Sequence, residues 1–317
     1  MTAERAPELS AIVVHWRGEE HLAELVAAWP RDPRFELVVV DNSTSLGEVP
    51  APARVVVPGR NLGFGGGVNC GLTSTSAPWV LILNPDVRPR EGALERILAA
   101  IADFPDAAGI VPALEGPGGE SQCRWQLQPL PSPSTLVLQT LLLGADRGPR
   151  AEPARGTAVE QPAAAALVLR RTVLDEIGGF DEGYYPAWFE DVDLARRLRQ
   201  GGHRLVFEPA ARFVHALGGS VPELGYGPFL WVYYRNLTRY LRLHHGTDWA
   251  LAARWTLIKG MALRLLLLPL RRPRRAPSRR AAAAALIDVI RGASSDWRRP
   301  ASYAEEFTPR RREGTGE

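Results

Sequence analysis

The chain has 317 residues, of which 45% are hydrophobic and 23% charged, so it has the size and composition of a globular protein with one large or two modest domains. Two cysteines, Cys70 and Cys123, are too few and too far apart to predict a disulfide framework or a zinc site. The N-terminal residues lack the apolar core of a signal peptide, and we therefore expect a cytoplasmic protein.

Short apolar runs alternate with helical patterns through the first part of the chain. The predicted strands are residues 11–14, 35–40, 54–57, 79–83 and 109–113. Strands that alternate with helices predict an α/β fold with a mixed, mainly parallel sheet, and ligands bind such sheets beyond the carboxyl ends of the strands. Asp41, Asn61 and Asp86 lie at such ends, which makes them candidate binding residues.

A glycine-rich segment follows the third predicted strand. Residues 62–71 (LGFGGGVNCG) would let a phosphate approach the backbone closely, with N–H groups directed at it. The spacing of the dinucleotide motif G-x-G-x-x-G fails, because a start at Gly63 places Val68 last and a start at Gly65 places Cys70 last. The pattern therefore disfavours a dehydrogenase.

Two polar residues that follow apolar strands are candidate metal ligands. Asp86 ends the sequence Asn84-Pro85-Asp86 after a buried strand, where either a metal contact or an ordinary turn residue is consistent with the pattern. His215 ends the strand at residues 212–215, and a neutral imidazole binds metal there if carboxylates converge on it. A structural role for His215 stays open.

The segment around residues 178–194 (GGFDEGYYPAWFEDVDL) concentrates carboxylates and aromatic rings at the start of a predicted helix, residues 191–200. Free backbone N–H groups and the helix dipole at that end favour an ionised carboxylate, the form that a general base needs. Asp191 and Glu190 are therefore candidate catalytic residues. The alternative is that Asp191 only caps the helix.

Residues 115–162 are rich in proline and glycine around one predicted helix, residues 135–143. They are interpreted as a mobile insertion over the site, and a plain surface loop is equally consistent with the composition.

The C-terminal part is strongly basic, because residues 250–300 carry twelve basic side chains against two acidic ones. Residues 250–270 are apolar, but Arg254, Lys259 and Arg264 interrupt them, and each would cost roughly 2.5–3.5 kcal/mol at a bilayer centre. We therefore expect a helix that lies on an anionic membrane surface. Nucleic-acid binding is disfavoured, since aromatic stacking residues do not alternate with the arginines.

The order of motifs IVVHWRG, VVVDNST, NLGFGGGVNCGL, LILNPDV, FEDVDLARRL and FVHALGGS resembles that of inverting family 2 glycosyltransferases with the GT-A fold, most closely bacterial rhamnosyltransferases. The resemblance covers about residues 9–245. The basic end is similar to the tails of rhamnosyltransferases that act on polyprenyl-diphosphate-linked N-acetylglucosamine. The implied organisation is a GT-A domain (residues 1–245), a basic membrane-associating helical segment (246–300) and a disordered tail (301–317).

The resemblance implies roles for the candidate residues. Asp191 would be the general base and Glu190 would support it, while Asp86 and His215 would bind a divalent ion, Mg²⁺ or Mn²⁺. The nucleotide-sugar site would comprise Trp16, Asp41, Asn61, Gly63, Asn69, Asn84 and Asp86. Residues 161–165 (QPAAA) depart from the family segment near the sugar pocket, which leaves the donor sugar open.

The reaction implied is transfer of L-rhamnose from dTDP-L-rhamnose to a lipid-linked or glycan acceptor in cell-wall or surface-glycan synthesis. The protein would act at the inner face of the plasma membrane, without a nucleic-acid partner. A UDP-sugar donor and a catalytically inactive membrane-bound assembly partner are the alternatives. A nucleotidyltransferase is disfavoured, because residues 15–18 lack the glycine-rich loop that such enzymes carry after the first strand.

Overall fold

A mixed sheet flanked by helices forms the centre of the chain in the computed structural model, which describes residues 6–43, 46–141, 148–216, 224–270, 273, 275–295, 297, 298, 300 and 303. The strands are β1 (Leu9–His15), β2 (Phe35–Asp41), β3 (Ala53–Val56), β4 (Trp79–Leu83), β5 (Val87–Pro89), β6 (Gly109–Glu115), β7 (Leu127–Gln128), β8 (Ala158–Val159), β9 (Gln161–Pro162), β10 (Ala166–Arg170) and β11 (Leu205–His215). The helices are α1 (Glu19–Ala28), α2 (Gly63–Thr73), α3 (Ala93–Asp103), α4 (Cys123–Gln126), α5 (Pro133–Leu141), α6 (Arg171–Glu176), α7 (Glu190–Gln200), α8 (Tyr226–His245), α9 (Thr247–Leu267) and α10 (Arg279–Ser294).

The strand order of the main sheet is β3-β2-β1-β4-β10-β6-β11-β5, and β8 also pairs with β11. Strands β1, β2, β3, β4, β6 and β11 run in one direction, whereas β5, β8 and β10 run in the other. The prediction of a mainly parallel sheet flanked by helices is confirmed. The carboxyl ends of β1, β2 and β4 consequently lie at one edge, where the predicted site residues follow them.

Both faces of the central strands are buried, which explains their nearly continuous apolar sequence. On β1, Ala11 and Val13 belong to one hydrophobic cluster with Leu22 and Leu25 of α1. Ile12 belongs to a second cluster on the opposite face of the sheet. The alternation follows from the two-residue period of a strand.

The glycine-rich segment forms α2 itself instead of a loop that leads into a helix. A Cβ atom added to Gly67 would lie 2.6 Å from Cγ1 of Val14, and one added to Gly71 would collide with Ile12. The glycines therefore let α2 pack closely against β1. Close packing accounts for these glycines, for which the sequence had suggested a role in phosphate binding.

Strand β11 is one continuous element that starts at Leu205, well before the strand predicted at residues 212–215. A register irregularity between Glu208 and Arg212 interrupts its pairing with β6, and this irregularity accounts for the break in the apolar pattern. Beyond it, His215 pairs with Val87 of the antiparallel strand β5. This pairing brings His215 next to Asp86.

Residues 246–300 are mainly helical as predicted, but their helices pack into the rest of the protein. One hydrophobic cluster combines Leu257 and Met261 of α9 and Leu286 of α10 with Tyr184 and Phe189. No helix in the part of the chain that the structure describes has both the length and the apolar composition of a membrane span. The predicted disordered tail, residues 301–317, lies outside the described residues apart from Tyr303.

The segment predicted as a mobile insertion, residues 115–162, contains α4, β7, α5, β8 and β9 in its described parts. Its Gln126 is fully buried and donates from Nε2 to the carbonyl oxygen of Pro112 in β6, at 2.7 Å. These residues pack against the core, and their mobility stays a prediction. Residues 142–147, which include the end of the helix predicted at 135–143, lie outside the described residues.

Candidate active site

A pocket of about 100 Å³ lies at the carboxyl edge of the sheet. Its lining combines the end of β1, the start of α2 and the segment before α7: Val14, Trp16, Asn42, Asn61, Gly63, Phe64, Pro186, Ala187, Trp188 and Leu224. Three predicted nucleotide-site residues, Trp16, Asn61 and Gly63, therefore share one pocket. The guanidinium of Arg17 lies 4.3 Å from the ring centroid of Trp16 and covers one face of the indole.

The turn before α2 is held from two directions. The Oδ1 atom of Asn61 accepts a hydrogen bond from the backbone N–H of Gly63 at 2.8 Å, and Asn42 Nδ2 donates to the Gly63 carbonyl at 2.8 Å. Gly63 has φ +73°, and a Cβ there would lie 2.9 Å from the Pro186 carbonyl oxygen, so glycine is required. Asn42 was not singled out from the sequence, although it adjoins Asp41 at the end of β2.

Asn69 contacts the segment before α7. Its Oδ1 accepts from the Phe180 N–H at 2.9 Å, while its Nδ2 donates to the Phe180 carbonyl at 2.9 Å and to Glu182 Oε1 at 3.0 Å. Both ends of the amide thus join α2 to the segment that contains the candidate base. Asn69 does not line the pocket, and its predicted nucleotide contact stays a prediction.

Asp41 is almost completely buried and organises the turn after β2. Its carboxylate accepts from the hydroxyl and N–H of Ser43 at 2.6 and 3.0 Å and from the N–H of Leu46 at 3.1 Å. Burial alone would raise the pKa of Asp41, but hydrogen bonds from His15, Ser43 and Leu46 lower that pKa to about 2. Asp41 is therefore ionised at neutral pH, and its contact with a base or ribose stays a prediction.

Asp86 and His215 meet as predicted for a pair of metal ligands. The His215 Nε2 atom lies 3.6 Å from Asp86 Oδ2, and both side chains are buried. Gln122 Nε2 donates to the His215 carbonyl at 2.9 Å, so Gln122 Oε1 faces His215 Nδ1, also at 2.9 Å. His215 Nδ1 must therefore carry a proton, which leaves Nε2 with a lone pair when the ring is neutral. Burial lowers the pKa of His215, although the charge of Asp86 opposes this effect.

This pair fits a divalent cation. An imidazole lone pair and a carboxylate oxygen face each other, and a hydrogen bond to the other ring nitrogen orients the imidazole, as in many metal sites. Across the described residues, no group of three or more His, Cys, Asp or Glu side chains is arranged to hold a metal ion. Two protein ligands would therefore leave the remaining coordination positions to phosphate oxygens or water.

Trp125 also lies beside this pair. Its ring centroid is 5.1 Å from that of His215, and about a third of the side chain is exposed. Gln122 and Trp125 both come from the segment predicted as an insertion, so that segment lies next to the candidate metal ligands.

Helix α7 starts at Glu190, and Phe189 is its N-cap residue, with φ +74°. The alternative that Asp191 only caps the helix is therefore wrong, since Asp191 lies within the first turn. Its Oδ1 accepts from the Val192 N–H at 2.8 Å. The backbone N–H of Ala164 also lowers the pKa of the Asp191 carboxylate. Asn84 N–H donates to the carbonyl of the next residue, Ala165, at 2.9 Å.

Consecutive residues of the QPAAA segment thus contact both the candidate base and the turn that carries Asp86. This segment departs from the family pattern, yet its contacts are made by backbone groups that alanine supplies as well as other residues do. Gln161, at the start of the segment, is buried and lies away from these contacts in β9.

Burial raises the pKa of Asp191 to about 6, although the backbone N–H groups of Val192, Ala164 and Asp191 itself oppose the rise. Burial and the charges of Asp191 and Asp193 raise the pKa of Glu190 well above its usual range. Glu190 Oε2 is buried and has no hydrogen-bond partner among the described residues. At neutral pH Asp191 is therefore the ionised member of the pair, the state that a general base requires.

A second carboxylate of α7 has a structural role that the sequence did not reveal. Asp193 is buried and accepts from Arg197 Nε at 2.8 Å, and its Oδ1 lies 2.7 Å from His244 Nε2. Burial alone would raise the pKa of Asp193, but His244 and Arg197 lower it below its usual value. His244 had no assigned role, because 51 residues separate it from Asp193 and nothing local indicates the contact.

Comparison with known proteins identifies the family. The model of the family described as "Glycosyl transferase family 2" matches residues 10–177. The N-acetylglucosaminyl-diphospho-decaprenol L-rhamnosyltransferase of Mycobacterium tuberculosis is 28% identical over 300 residues, an alignment that covers 81% of this chain and 91% of the relative.

Two solved structures have a similar fold. The mannosyltransferase PcManGT from Pyrobaculum calidifontis, in complex with GDP-Man and Mn²⁺, has a TM-score of 0.51 and 17% identity over 92% of this chain and 88% of that one. Residues 1–349 of S. aureus TarS, in complex with UDP-GlcNAc, have a TM-score of 0.51 and 14% identity over 91% and 82% of the two chains. The fold is that of GT-A proteins, and the chain belongs to glycosyl transferase family 2 and is a glycosyltransferase.

Proposed function

We propose that the protein is an inverting glycosyltransferase that moves L-rhamnose from dTDP-L-rhamnose to a lipid-linked acceptor in cell-wall or surface-glycan synthesis. The observation that carries this proposal is the link through Ala164 and Ala165. The carbonyl of Ala165 accepts a hydrogen bond from Asn84, and the backbone N–H of its neighbour Ala164 lowers the pKa of Asp191, which supports one site that contains both the candidate base and the turn with Asp86.

Asp191 would act as the general base. Its carboxylate, half-buried and ionised above about pH 6, takes the proton from the acceptor hydroxyl as the hydroxyl oxygen attacks the anomeric carbon. The new glycosidic bond forms on the face opposite the bond that breaks, and the nucleoside diphosphate leaves with that bonding pair. Glu190, whose pKa is raised by burial and by the charge of Asp191, supports the base.

Asp86 and His215 would hold the divalent ion, Mg²⁺ or Mn²⁺. When bound, such an ion offsets the negative charge that develops on the departing diphosphate. The solved structures of PcManGT and GalNAc-T7, which have a similar fold, contain Mn²⁺, and this supports a divalent ion in this chain. The protein's own contribution is to orient the His215 ring through Gln122 and to keep both ligands away from water.

The pocket lined by Trp16, Asn61 and Gly63 would bind the nucleotide. The indoles of Trp16 and Trp188 offer flat apolar surfaces for a base, and Asn42 and Asn61 shape the turn that borders it. The mycobacterial relative is an N-acetylglucosaminyl-diphospho-decaprenol L-rhamnosyltransferase, and its alignment spans most of both chains. This supports rhamnose as the donor sugar and a polyprenyl-diphosphate acceptor. A UDP-sugar donor is the alternative.

We place this activity at the inner face of the plasma membrane, where the basic C-terminal helices would contact anionic lipid. Support comes from the charge of residues 250–300 and from apolar side chains that α9 exposes, among them Trp255, Leu263 and Leu266. A peripheral enzyme in that position would meet both a nucleotide sugar from the cytoplasm and an acceptor anchored in lipid.

The decisive experiment is turnover of dTDP-L-rhamnose and of UDP-sugars by the purified protein, with and without Mn²⁺ or Mg²⁺ and with polyprenyl-diphosphate N-acetylglucosamine as acceptor. The proposal predicts metal-dependent transfer of rhamnose that Asp86→Ala abolishes. Transfer from a UDP-sugar, without transfer from dTDP-L-rhamnose, would show that the donor is a UDP-sugar. If the protein neither turned over nor bound any nucleotide sugar, it would be an inactive assembly partner instead.

A further inference from the structure

Two consecutive residues directly before α7 have a left-handed backbone, although neither is glycine. Trp188 has φ +73° and Phe189 has φ +74°. Residues with a Cβ atom adopt this conformation only where the surrounding structure holds them in it. Because α7 begins at the next residue, the backbone at these two positions sets the direction in which its first turn, with Glu190 and Asp191, enters the site.

A single side chain of α8 holds this backbone. Asn236 is completely buried, and its Nδ2 donates to the carbonyl oxygens of Ala187 at 2.8 Å and of Trp188 at 2.9 Å. These two carbonyls belong to the peptide groups on either side of Trp188. The amide of Asn236 therefore fixes the orientation of the peptide groups before and after Trp188.

The neighbouring arginine fixes the orientation of that amide. Arg235 Nη1 donates to Asn236 Oδ1 at 3.0 Å and to the Tyr185 carbonyl at 2.9 Å, and Arg235 Nη2 donates to the Gly183 carbonyl at 3.3 Å. With its oxygen held by Arg235, Asn236 presents only its NH₂ group to the segment before α7.

Aromatic contacts complete this arrangement on the same face of α8. The Phe189 ring centroid lies 5.3 Å from that of Tyr233 and 5.9 Å from that of Tyr240. Positions 233, 236 and 240 are three and four residues apart and so share one face of the helix. This face holds the backbone through Asn236 and the Phe189 side chain through the two tyrosines.

We propose that Asn236 is a positioning residue for the general base. It holds Trp188 and Phe189 in the left-handed conformation and thereby directs the Asp191 carboxylate toward the acceptor hydroxyl. This inference rests on the proposed role of Asp191. Asn236 touches neither donor nor acceptor in this scheme, so its loss affects the chemical step and leaves donor binding intact.

A double-mutant cycle tests the inference, because glycine adopts positive φ without help. Four proteins are compared for kcat and donor KM: the native chain, Asn236→Ala, Trp188→Gly and the double variant. Asn236→Ala is expected to lower kcat by about 10- to 100-fold, with donor KM changed less than about twofold. In the Trp188→Gly background, compared at saturating donor because Trp188 lines the proposed nucleotide pocket, the same substitution is expected to lower kcat less than about threefold, since the residue between the two peptide groups that Asn236 holds is then glycine.

The matched control is Thr238→Val. Thr238 is as deeply buried on α8, but its hydroxyl donates to the Arg235 carbonyl of its own helix, and kcat is expected to stay unchanged. Equal losses from Asn236→Ala in both backgrounds, or a loss confined to donor KM, would overturn the inference. If Asn236→Ala fails to fold, Asn236→Ser, which keeps one hydrogen-bond donor, takes its place in the double-mutant cycle.

Amide hydrogen exchange separates this inference from the proposed function, since it requires no turnover. Exchange at residues 188–191 is expected to accelerate in Asn236→Ala and to stay at the native rate in Thr238→Val. A native chain that is inactive on every donor would refute the proposed function only. Unchanged protection in Asn236→Ala would refute the inference, whatever the activity.

Discussion

The Nε2 atom of His215 lies 3.6 Å from Oδ2 of Asp86, although 129 positions separate the two residues in the sequence. The antiparallel pairing of β5 with the end of β11 brings them together, and Gln122 orients the imidazole from a third segment. The three residues come from different parts of the chain, and their convergence is the arrangement that the proposed metal site requires.

Metal affinity tests this arrangement without any need for turnover. Asp86→Ala is expected to abolish Mn²⁺ binding, measured by electron paramagnetic resonance in the presence of a nucleoside diphosphate. Gln122→Leu is expected to weaken Mn²⁺ binding by about 10- to 100-fold, because the His215 ring loses the hydrogen bond that orients it. The exposed Gln200, replaced by Leu, is the control. Native Mn²⁺ affinity in Gln122→Leu would show that ring orientation is set elsewhere.

The raised pKa of Asp191 predicts a specific pH profile. A general base works when ionised, so kcat is expected to fall as pH drops through about 6, the pKa that burial gives Asp191. Asp191→Asn is expected to lower kcat by about 10²- to 10⁴-fold and to leave donor binding, measured by calorimetry, unchanged. The exposed Asp175, changed to Asn, is the matched control. If kcat fell only near pH 4, the general base would be a carboxylate in a more solvated position.

The raised pKa of Asp191 also predicts that its ionised carboxylate destabilises the folded protein. In the unfolded chain an aspartate titrates near pH 4, so between about pH 4 and 6 the folded state binds the extra proton and stability declines as pH rises. Asp191→Asn removes this cost. Its melting temperature is expected to exceed that of the native chain by several degrees at pH 8 and to equal it at pH 4. An equal gain at both pH values would assign the effect to packing.

Much of the sheet could be predicted from the sequence, because fully buried strands are short apolar runs that end in polar residues. The runs of β2 and β4 have this form, and so Asp41 and Asp86 were correctly placed at the carboxyl ends of their strands. Asp191 was recognisable for a similar reason, since carboxylates in front of an apolar helical pattern mark the first turn of a helix.

Other parts of the site could not be predicted, because they depend on contacts between distant segments. Helix α8 was not predicted, although it supplies Asn236 to the segment before α7. Gln122 lies in a stretch rich in glycine and proline that is typical of a surface loop, and only the folded chain shows that it meets His215. Asn69 lies in the glycine-rich segment. The role of that segment in packing α2 against β1 becomes clear only once the position of β1 is known.

The last prediction concerns α9. Its basic residues do not all face outward, as a helix on a lipid surface would require. Arg254 Nε donates to the Ala293 carbonyl, and Arg264 donates to the carbonyls of Thr140 and Leu141, so both arginines are directed toward the protein. Lys259 remains exposed. The exposed stripe of α9 recurs every three or four residues and is otherwise apolar: Leu251, Trp255, Lys259, Leu263 and Leu266. The exposed Leu270 follows just after the helix.

An apolar stripe next to exposed arginines such as Arg275, Arg279 and Arg280 matches the chemistry of an anionic lipid surface. Trp255 is 64% exposed and Leu266 75%. The double variant Trp255→Asp, Leu266→Asp is therefore expected to bind phosphatidylglycerol vesicles about tenfold more weakly in flotation than the native chain does.

The control for this experiment is Val57→Asp, an equally polar change at a 60% exposed valine just after β3. Point substitutions are preferable to removal of the C-terminal helices, because Leu257 and Met261 of α9 share a hydrophobic cluster with Phe189. Native flotation by the double variant would exclude the stripe as the lipid contact.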